Sequence, residues 1–307
     1  MAIQVVINQR HLQIQLKQLE TVWQTVINDY NLSQAAKVLH TSQSSLSKHI
    51  AALENQLKAD VFIRQGKRLV GLSPIGEQLL PHIEKIFVEI RTIENLTLDF
   101  QNPDTGELAI ATTHTQARYV LPWVVKRFRE RYPNVRLILS QADPESIAHM
   151  VAQGQADIGI ATESLLTKDN LQCTRYYDWY HHIIVPEGHA LAAQDSVDIA
   201  TLAQYPLITY HGGFTGRGAI DAAFARAGLQ PNIVLTALDA DVISTYVALG
   251  MGVGTIAEMA YAPNARGLVK IPTQLFGKHV TWIATRADSD LRHFAKDFIV
   301  ICQQQFA

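Results

Sequence analysis

The sequence predicts an α/β protein in two parts: a small helical head with a two-stranded wing, carried by a long helix, followed by two α/β lobes around a cleft. Three observations predict it. The chain has 307 residues, enough for about two domains with separate cores. Its first hundred residues keep a helical period, after which short apolar runs alternate with helical stretches. Between the two regimes lies the turn-rich Asn102-Pro103-Asp104-Thr105-Gly106. The expected boundaries are 14–72 for the head, 73–101 for the long helix and 106–307 for the lobes. Lobe I takes about 106–175 and 279–307, and lobe II about 176–278.

Composition narrows the class. At 48% hydrophobic and 18% charged the chain reads as globular rather than disordered. The start, MAIQVVINQR, lacks the pattern of a secretory signal, and no run approaches the ~18 apolar residues of a membrane helix, so a cytoplasmic protein with no membrane partner is expected. Cys173 and Cys302 stand far apart with no metal or redox spacing around them. His181 and His182 would face opposite sides of a strand, which speaks against a metal site. Neither cofactor nor metal is expected. No GxSxG, Walker loop or Cys/His constellation supports an enzyme, and Asp239 and Asp241 read as helix caps.

The net charge is −2, yet residues 31–70 hold Lys37, Lys48, Lys58, Arg64, Lys67 and Arg68 against Glu54 and Asp60: six minus two, a local surplus of four. Basic patches suit phosphate binding. Leu16, Leu19, Val22, Trp23, Val26 and Ile27 give a first helix. A short second helix follows with Ser33 as its expected N-cap. After a turn at His40-Thr41, a third opens at Ser42 and sends Leu46, Ile50, Leu53 and Leu57 inward. Ala35 and Ala36 allow a steep helix crossing. The outward face of the third helix is then Gln43, Ser44, Ser47 and Lys48, short polar groups and one cation suited to base edges in a major groove. Strands at Val61–Arg64 and Leu69–Leu72 form the wing, with Arg64, Lys67 and Arg68 placed to touch the DNA backbone or minor groove. Ser73-Pro74 starts the long helix. Its stripe Leu79, Ile83, Ile86, Ile90, Ile93, Thr97 and Phe100 alternates steps of four and three, a dimerisation seam.

The run AAKVLHTSQSSLSKHIAALENQLKADVFIRQGKRLVGLSPIGEQLL closely resembles the N-terminal signature of LysR-type regulators. That resemblance implies a winged helix-turn-helix, a double-stranded DNA operator, and a homo-oligomer, dimeric through the long helix and tetrameric overall. About thirteen residues precede the point where such proteins usually begin.

In the second part, strands at Leu108–Thr112, Val135–Ser140, Asp157–Ile160, His182–Val185, Pro206–Tyr210, Ile233–Thr236 and Val280–Ala284 alternate with helices near 116–132, 144–153, 215–227 and 290–305. This alternation predicts mainly parallel sheets. Two such lobes enclose a cleft in periplasmic solute-binding proteins, and the LysR resemblance implies the same arrangement for its effector domain. A transport module of that class would need a signal peptide and has no use for the head. Ligands of open α/β sheets sit beyond strand C-termini, near helix N-termini. Three strand ends offer such a nest: Thr112-Thr113-His114-Thr115-Gln116, Ala161-Thr162-Glu163 and Phe214-Thr215-Gly216-Arg217. Gly216 is expected to let the backbone approach a ligand, and Arg217 either pairs with it or lies on the surface.

TTHTQARY, ATES, YPLITY, FTGR, LDADV and STYVALGMGVGTIA look like the CysB/Cbl subgroup, regulators of sulfur assimilation and cysteine biosynthesis. The resemblance implies Thr113, Thr115, Gln116, Thr162, Thr215 and Gly216 as effector ligands, with Trp179 as a wall. It implies a small effector: sulfate, O- or N-acetylserine, or adenylylsulfate. A LysR-type regulator of another pathway, with a different effector, is the alternative.

Overall fold

The computed structural model describes residues 14–66, 68–214, 216–261, 267–288 and 290–306. The chain forms two units, residues 1–91 and 92–307. The first thirteen residues and Lys67 and Thr215 lie outside the described residues.

In the first unit α1 (Leu16–Ile27), α2 (Leu32–Val38) and α3 (Gln43–Leu57) surround a core of Leu19, Val22, Ile50, Leu53 and Val61. The cap of α2 is Asn31, not the expected Ser33. Its side chain accepts from the N–H groups of Ser33 and Gln34 at 3.1 Å each, which makes Ser33 the second helical residue. Both residue types cap well, and the one already in extended backbone takes the role. Ala35 and Ala36 are buried against Leu46 at the helix crossing, and Ser42 caps α3 through the Ser45 N–H.

β1 (Phe62–Gln65) and β2 (Arg68–Leu72) pair antiparallel, with Gly66 left-handed in the turn. α4 (Pro74–Gln101) starts at the Ser73 cap. The seam expected along it divides. Leu79 and Ile83 pack into the head core, and Phe87 stacks on Trp23 at 5.3 Å. Farther on, Ile93, Leu96 and Phe100 are 64%, 55% and 92% exposed, so this distal part offers the more open apolar face.

The second unit holds two five-stranded sheets. The first runs β4-β3-β5-β12-β6 and contains β3 (Gly106–Thr112), β4 (Val135–Gln141), β5 (Ile158–Ala161), β6 (Leu171–Trp179) and β12 (His279–Arg286). The second runs β11-β7-β10-β8-β9 and contains β7 (His181–Pro186), β8 (Leu207–Tyr210), β9 (Ile233–Ala237), β10 (Val253–Ala257) and β11 (Leu268–Pro272).

Both sheets are mixed rather than mainly parallel. β3, β4 and β5 are parallel, as are β8, β9 and β10, whereas β12 against β5 and β6, and β7 against β10 and β11, are antiparallel. The antiparallel strands are those by which the chain leaves one sheet and returns. The crossings fall at Tyr180, four residues beyond the position expected for the first, and just before His279.

α5 (Leu121–Arg131) and α10 (His293–Gln305) cover one face of the first sheet, joined by Phe128 against Phe298. α6 (Pro144–Ala152) covers the other through Ile147 and Val151. In the second lobe the short α7 (Ile199–Leu202) and α8 (Arg217–Arg226) lie on one side, burying Leu202 and Phe224. α9 (Ala240–Ala248) buries Ile243 and Val247 on the other.

Candidate functional site

On the head, Ser33, Ser42, Gln43, Ser44, Ser47 and Lys48 are all exposed on or beside the first turns of α2 and α3. They are partly ordered by one another. Ser33 Oγ donates to Gln43 Oε1 at 3.3 Å, Ser42 and Ser44 hydroxyls lie 2.9 Å apart, and Ser47 Oγ donates to the Gln43 carbonyl at 3.1 Å. A hollow of about 480 Å³ between Asn31, Ser33, Gln43 and Arg68 separates the start of α3 from the wing.

Arg64 differs from Arg68. Its Nη2 lies 2.6 Å from Glu54 Oε2, so much of its charge is met within the head. Glu54 is 8% exposed, and its other oxygen accepts the Val61 and Phe62 N–H groups at 2.9 and 3.3 Å. Arg64 therefore fastens the wing to α3 more than it extends the basic surface.

In the second unit, β3 and β5 lie side by side in parallel, and the Thr112 hydroxyl donates to the Ile160 carbonyl at 2.9 Å. Thr113 and Thr162 thus emerge together at two adjacent strand C-termini, and both are buried, as are Thr115 and Gln116. The chain then enters a π-helical turn, Gln116–Val120, before α5. The Gln116 amide is held on both sides: Tyr177 OH donates to Oε1 at 2.8 Å, and Nε2 reaches Thr281 Oγ1 at 3.4 Å. In the opposite lobe burial pushes the Tyr210 phenol pKa up, and its oxygen accepts the Ala257 N–H at 3.0 Å.

Trp179 is 1% exposed and stacks on His279 at 4.4 Å, a pair set by their register across β6 and β12. His181 meets His279 edge-on at 4.7 Å. Trp179 Nε1 and His279 Nε2 are buried with no hydrogen-bond partner among the described residues. Burial holds the His279 imidazole below its usual pKa range, against an opposing charge effect from Glu163. The two neighbours His181 and His182 are 1% exposed and half-buried respectively, on opposite strand faces as expected.

Gly216, expected to let the backbone approach a ligand, lies against imidazoles. It caps α8 in left-handed backbone, φ 68°, and the space a Cβ would occupy is taken by the His181 ring, with His279 Cε1 at 3.0 Å. The missing side chain makes room for imidazoles. Arg217 is likewise accounted for: Nη1 donates to the Tyr210 carbonyl and Nε to Asp221, both at 2.9 Å.

Asp239 caps α9 at Val242 as expected. Asp241 does something else. Its Oδ2 lies 2.8 Å from Arg118 Nε and 3.2 Å from His114 Nε2, joining α9 of lobe II to the segment after β3 of lobe I. His114, Asp239 and Asp241 bring ligand atoms within 4.8 Å of one another. The Arg118 guanidinium on Asp241 and the capping bond of Asp239 make this an ionic clasp across the lobes.

Known proteins with the same features place the chain. Residues 16–77 match the bacterial regulatory helix-turn-helix protein, lysR family, and residues 101–307 match the LysR substrate binding domain. The chain belongs to the LysR family. HTH-type transcriptional regulator SsuR of Burkholderia cenocepacia is 44% identical over 281 residues, covering 91% of each chain. HTH-type transcriptional regulator cbl of Escherichia coli is 42% identical over 288 residues, covering 93% of this chain and 91% of that one. The crystal structure of the cofactor-binding domain of the Cbl transcriptional regulator superposes with a TM-score of 0.63 at 43% identity, covering 66% of this chain and 90% of that one. These relatives put the chain in the CysB/Cbl subgroup, whose members are transcriptional regulators rather than enzymes. Among the described residues no helix is long and apolar enough to cross a membrane.

Sequence reasoning missed Tyr177, Thr281, Tyr210, His181 and His279 in this LysR-type cleft. Each sits on a strand whose side of the cleft depends on the crossings, and although Tyr210 ends the YPLITY run, nothing local marks which lobe it faces.

Proposed function

We propose that this LysR-type regulator controls sulfur-assimilation or cysteine-biosynthesis genes, binding a double-stranded operator as a cytoplasmic homotetramer built from helix-linked dimers. We further propose that a small anionic or acetylserine-type effector seats between the lobes on Thr113, Thr115, Gln116, Thr162 and Thr215. The observation that carries the effector reading is the burial of Thr113 and Thr162 at adjacent strand ends, beside Thr115 and Gln116. Hydroxyls and an amide favour an anion that must be released again, because few formal charges keep the affinity modest. Ligand acts through its different affinity for open and closed lobes. The exposed α3 face of Gln43, Ser44, Ser47 and Lys48, with Ser33, Ser42 and Arg68 beside it, supports DNA reading in the major groove. Arg64 and Lys67 belong to the same proposed surface, Arg64 through its hold on the wing.

The test is binding to operator fragments over a salt series, with and without sulfate, O-acetylserine, N-acetylserine or adenylylsulfate. No change in affinity or bend with any of them would remove this effector class. Gln43→Ala and Lys48→Ala should each lower discrimination between operator and random DNA by about 1–3 kcal/mol and leave effector binding intact. Equal losses on both DNAs would assign them to phosphate contact instead. Thr113→Ala should weaken the effector response by about tenfold or more without changing DNA affinity in the absence of effector. An unchanged response would leave that hydroxyl a helix cap only.

A further inference from the structure

The ring nitrogens on either side of the crossing raise a question that packing does not answer. His279 is 5% exposed, and its Nε2 has no partner among the described residues. An unsatisfied buried nitrogen costs about 1–3 kcal/mol, and a phenylalanine would fill similar space without it. Phe276 does so beside His181, at 5.7 Å. The residue type at 279 therefore asks for an occupant that the described residues do not supply.

The surroundings say what kind. His279 Cε1, bonded to that nitrogen, faces Gly216 at the N-terminus of the ten-residue α8, where N–H groups and the helix dipole favour negative charge. Trp179, stacked on the same imidazole, has its own unpartnered Nε1–H, which can only donate. The indole N–H and the helix N-terminus both favour an acceptor oxygen, which the His279 ring meets in the tautomer that carries its proton on Nε2. The titratable groups facing His279 are His181, across the edge-on contact, and Glu163, whose charge reaches it from the segment after β5.

We propose that His279 is an effector-contacting residue, its Nε2–H donating to an oxygen of a small anion seated at the N-terminus of α8, beside Gly216. This rests on the reading of the cleft as the effector site and adds a ring donor to the hydroxyl and amide set. A neutral imidazole with its proton on Nε2 supplies one directional hydrogen bond and no net charge.

The experiment is calorimetric titration of the full-length protein with sodium sulfate, and separately with N-acetylserine, at fixed ionic strength. It compares wild type with His279→Gln, His279→Asn, His279→Phe and Thr113→Ala. Glutamine can place an N–H near the Nε2 position, whereas asparagine reaches only the Nδ1 position. Binding of whichever probe the wild type takes should stay within about threefold in His279→Gln and weaken about tenfold or more in His279→Asn and His279→Phe. If the phenylalanine variant does not fold, the glutamine–asparagine contrast decides. Asparagine binding as tightly as wild type overturns the proposal. Thr113→Ala weakened while His279→Phe binds normally sinks the His279 contact and spares the cleft reading. Both variants binding normally, or no heat from wild type with either probe, sinks both.

Discussion

Replacing Glu54 by alanine should destabilise the DNA-reading unit by about 3 kcal/mol, a loss on the scale of emptying an apolar core position. Three groups depend on this carboxylate: the Val61 and Phe62 N–H groups and the Arg64 guanidinium. Alanine leaves the two buried N–H groups without an acceptor where β1 begins, and little water can replace it, since Val61 and Phe62 are 0% and 2% exposed. Arg64 loses less, because its head is partly solvated and has Asp60 at 3.7 Å as a second partner. Glu54→Gln keeps an acceptor for the backbone and should cost only about 1 kcal/mol. Hydrogen exchange on the full-length protein, followed in peptides spanning 58–72, reads the effect directly. Faster exchange in the alanine variant and near-native protection in the glutamine variant are expected. Equal protection in all three proteins would mean that the wing is held by the apolar contacts of Val61 and Phe62 alone.

The same interaction marks where the sequence stopped being readable. The head was legible because its signals are local: Ala35-Ala36 for the crossing, Ser42 before α3, Ser73-Pro74 before α4. The pairing of Arg64 with Glu54 was not, since a cation in a basic stretch is equally compatible with phosphate and with a carboxylate on a neighbouring helix. The long-helix stripe carried one period throughout, yet Ile83 faces the head core and Phe100 faces outward. Periodicity reports which residues share a face and not what covers it. In the lobes, strand positions were legible and strand directions were not. A mainly parallel sheet follows from β–α alternation only if the chain never leaves the sheet, and here it leaves after Trp179 and returns at His279.

β6 shows the limit most clearly. Leu171-Gln172-Cys173-Thr174-Arg175-Tyr176-Tyr177-Asp178-Trp179 lacks strict alternation because its pairing with β12 shifts register between Thr281 and Trp282, and its Arg175 and Asp178 form an ion pair. The threonines of the cleft were found because they follow strands directly. The partners of Gln116, Tyr177 and Thr281, lie 61 and 165 positions away and meet it only because the chain crosses to the other sheet and back.

Gly216→Ala decides between two accounts of one glycine, and its effect should be of the same size as that of Glu54→Ala. Alanine in left-handed backbone costs about 1–2 kcal/mol, and a methyl pressed into the His181 ring adds an overpacking cost of about 1–3 kcal/mol. The first term stays wherever φ stays near 68°, and the second depends on the ring. If glycine is there so that backbone can approach a ligand, the variant should lose effector affinity while the unliganded protein loses only the backbone part, about 1–2 kcal/mol. If glycine is there for the imidazoles, the unliganded effector unit should itself be destabilised by about 3 kcal/mol in all, and effector binding should fall only as far as α8 is displaced. The structure favours the second account, because the space beside Gly216 is filled by His181 and His279 before any ligand arrives. A double-mutant cycle with His181→Ala isolates the contact: removing the ring should recover the overpacking part of the loss and leave the backbone part, a coupling of about 1–3 kcal/mol. Strictly additive losses, measured by thermal unfolding without effector, would show that the methyl never meets the ring and return Gly216 to a role in ligand approach.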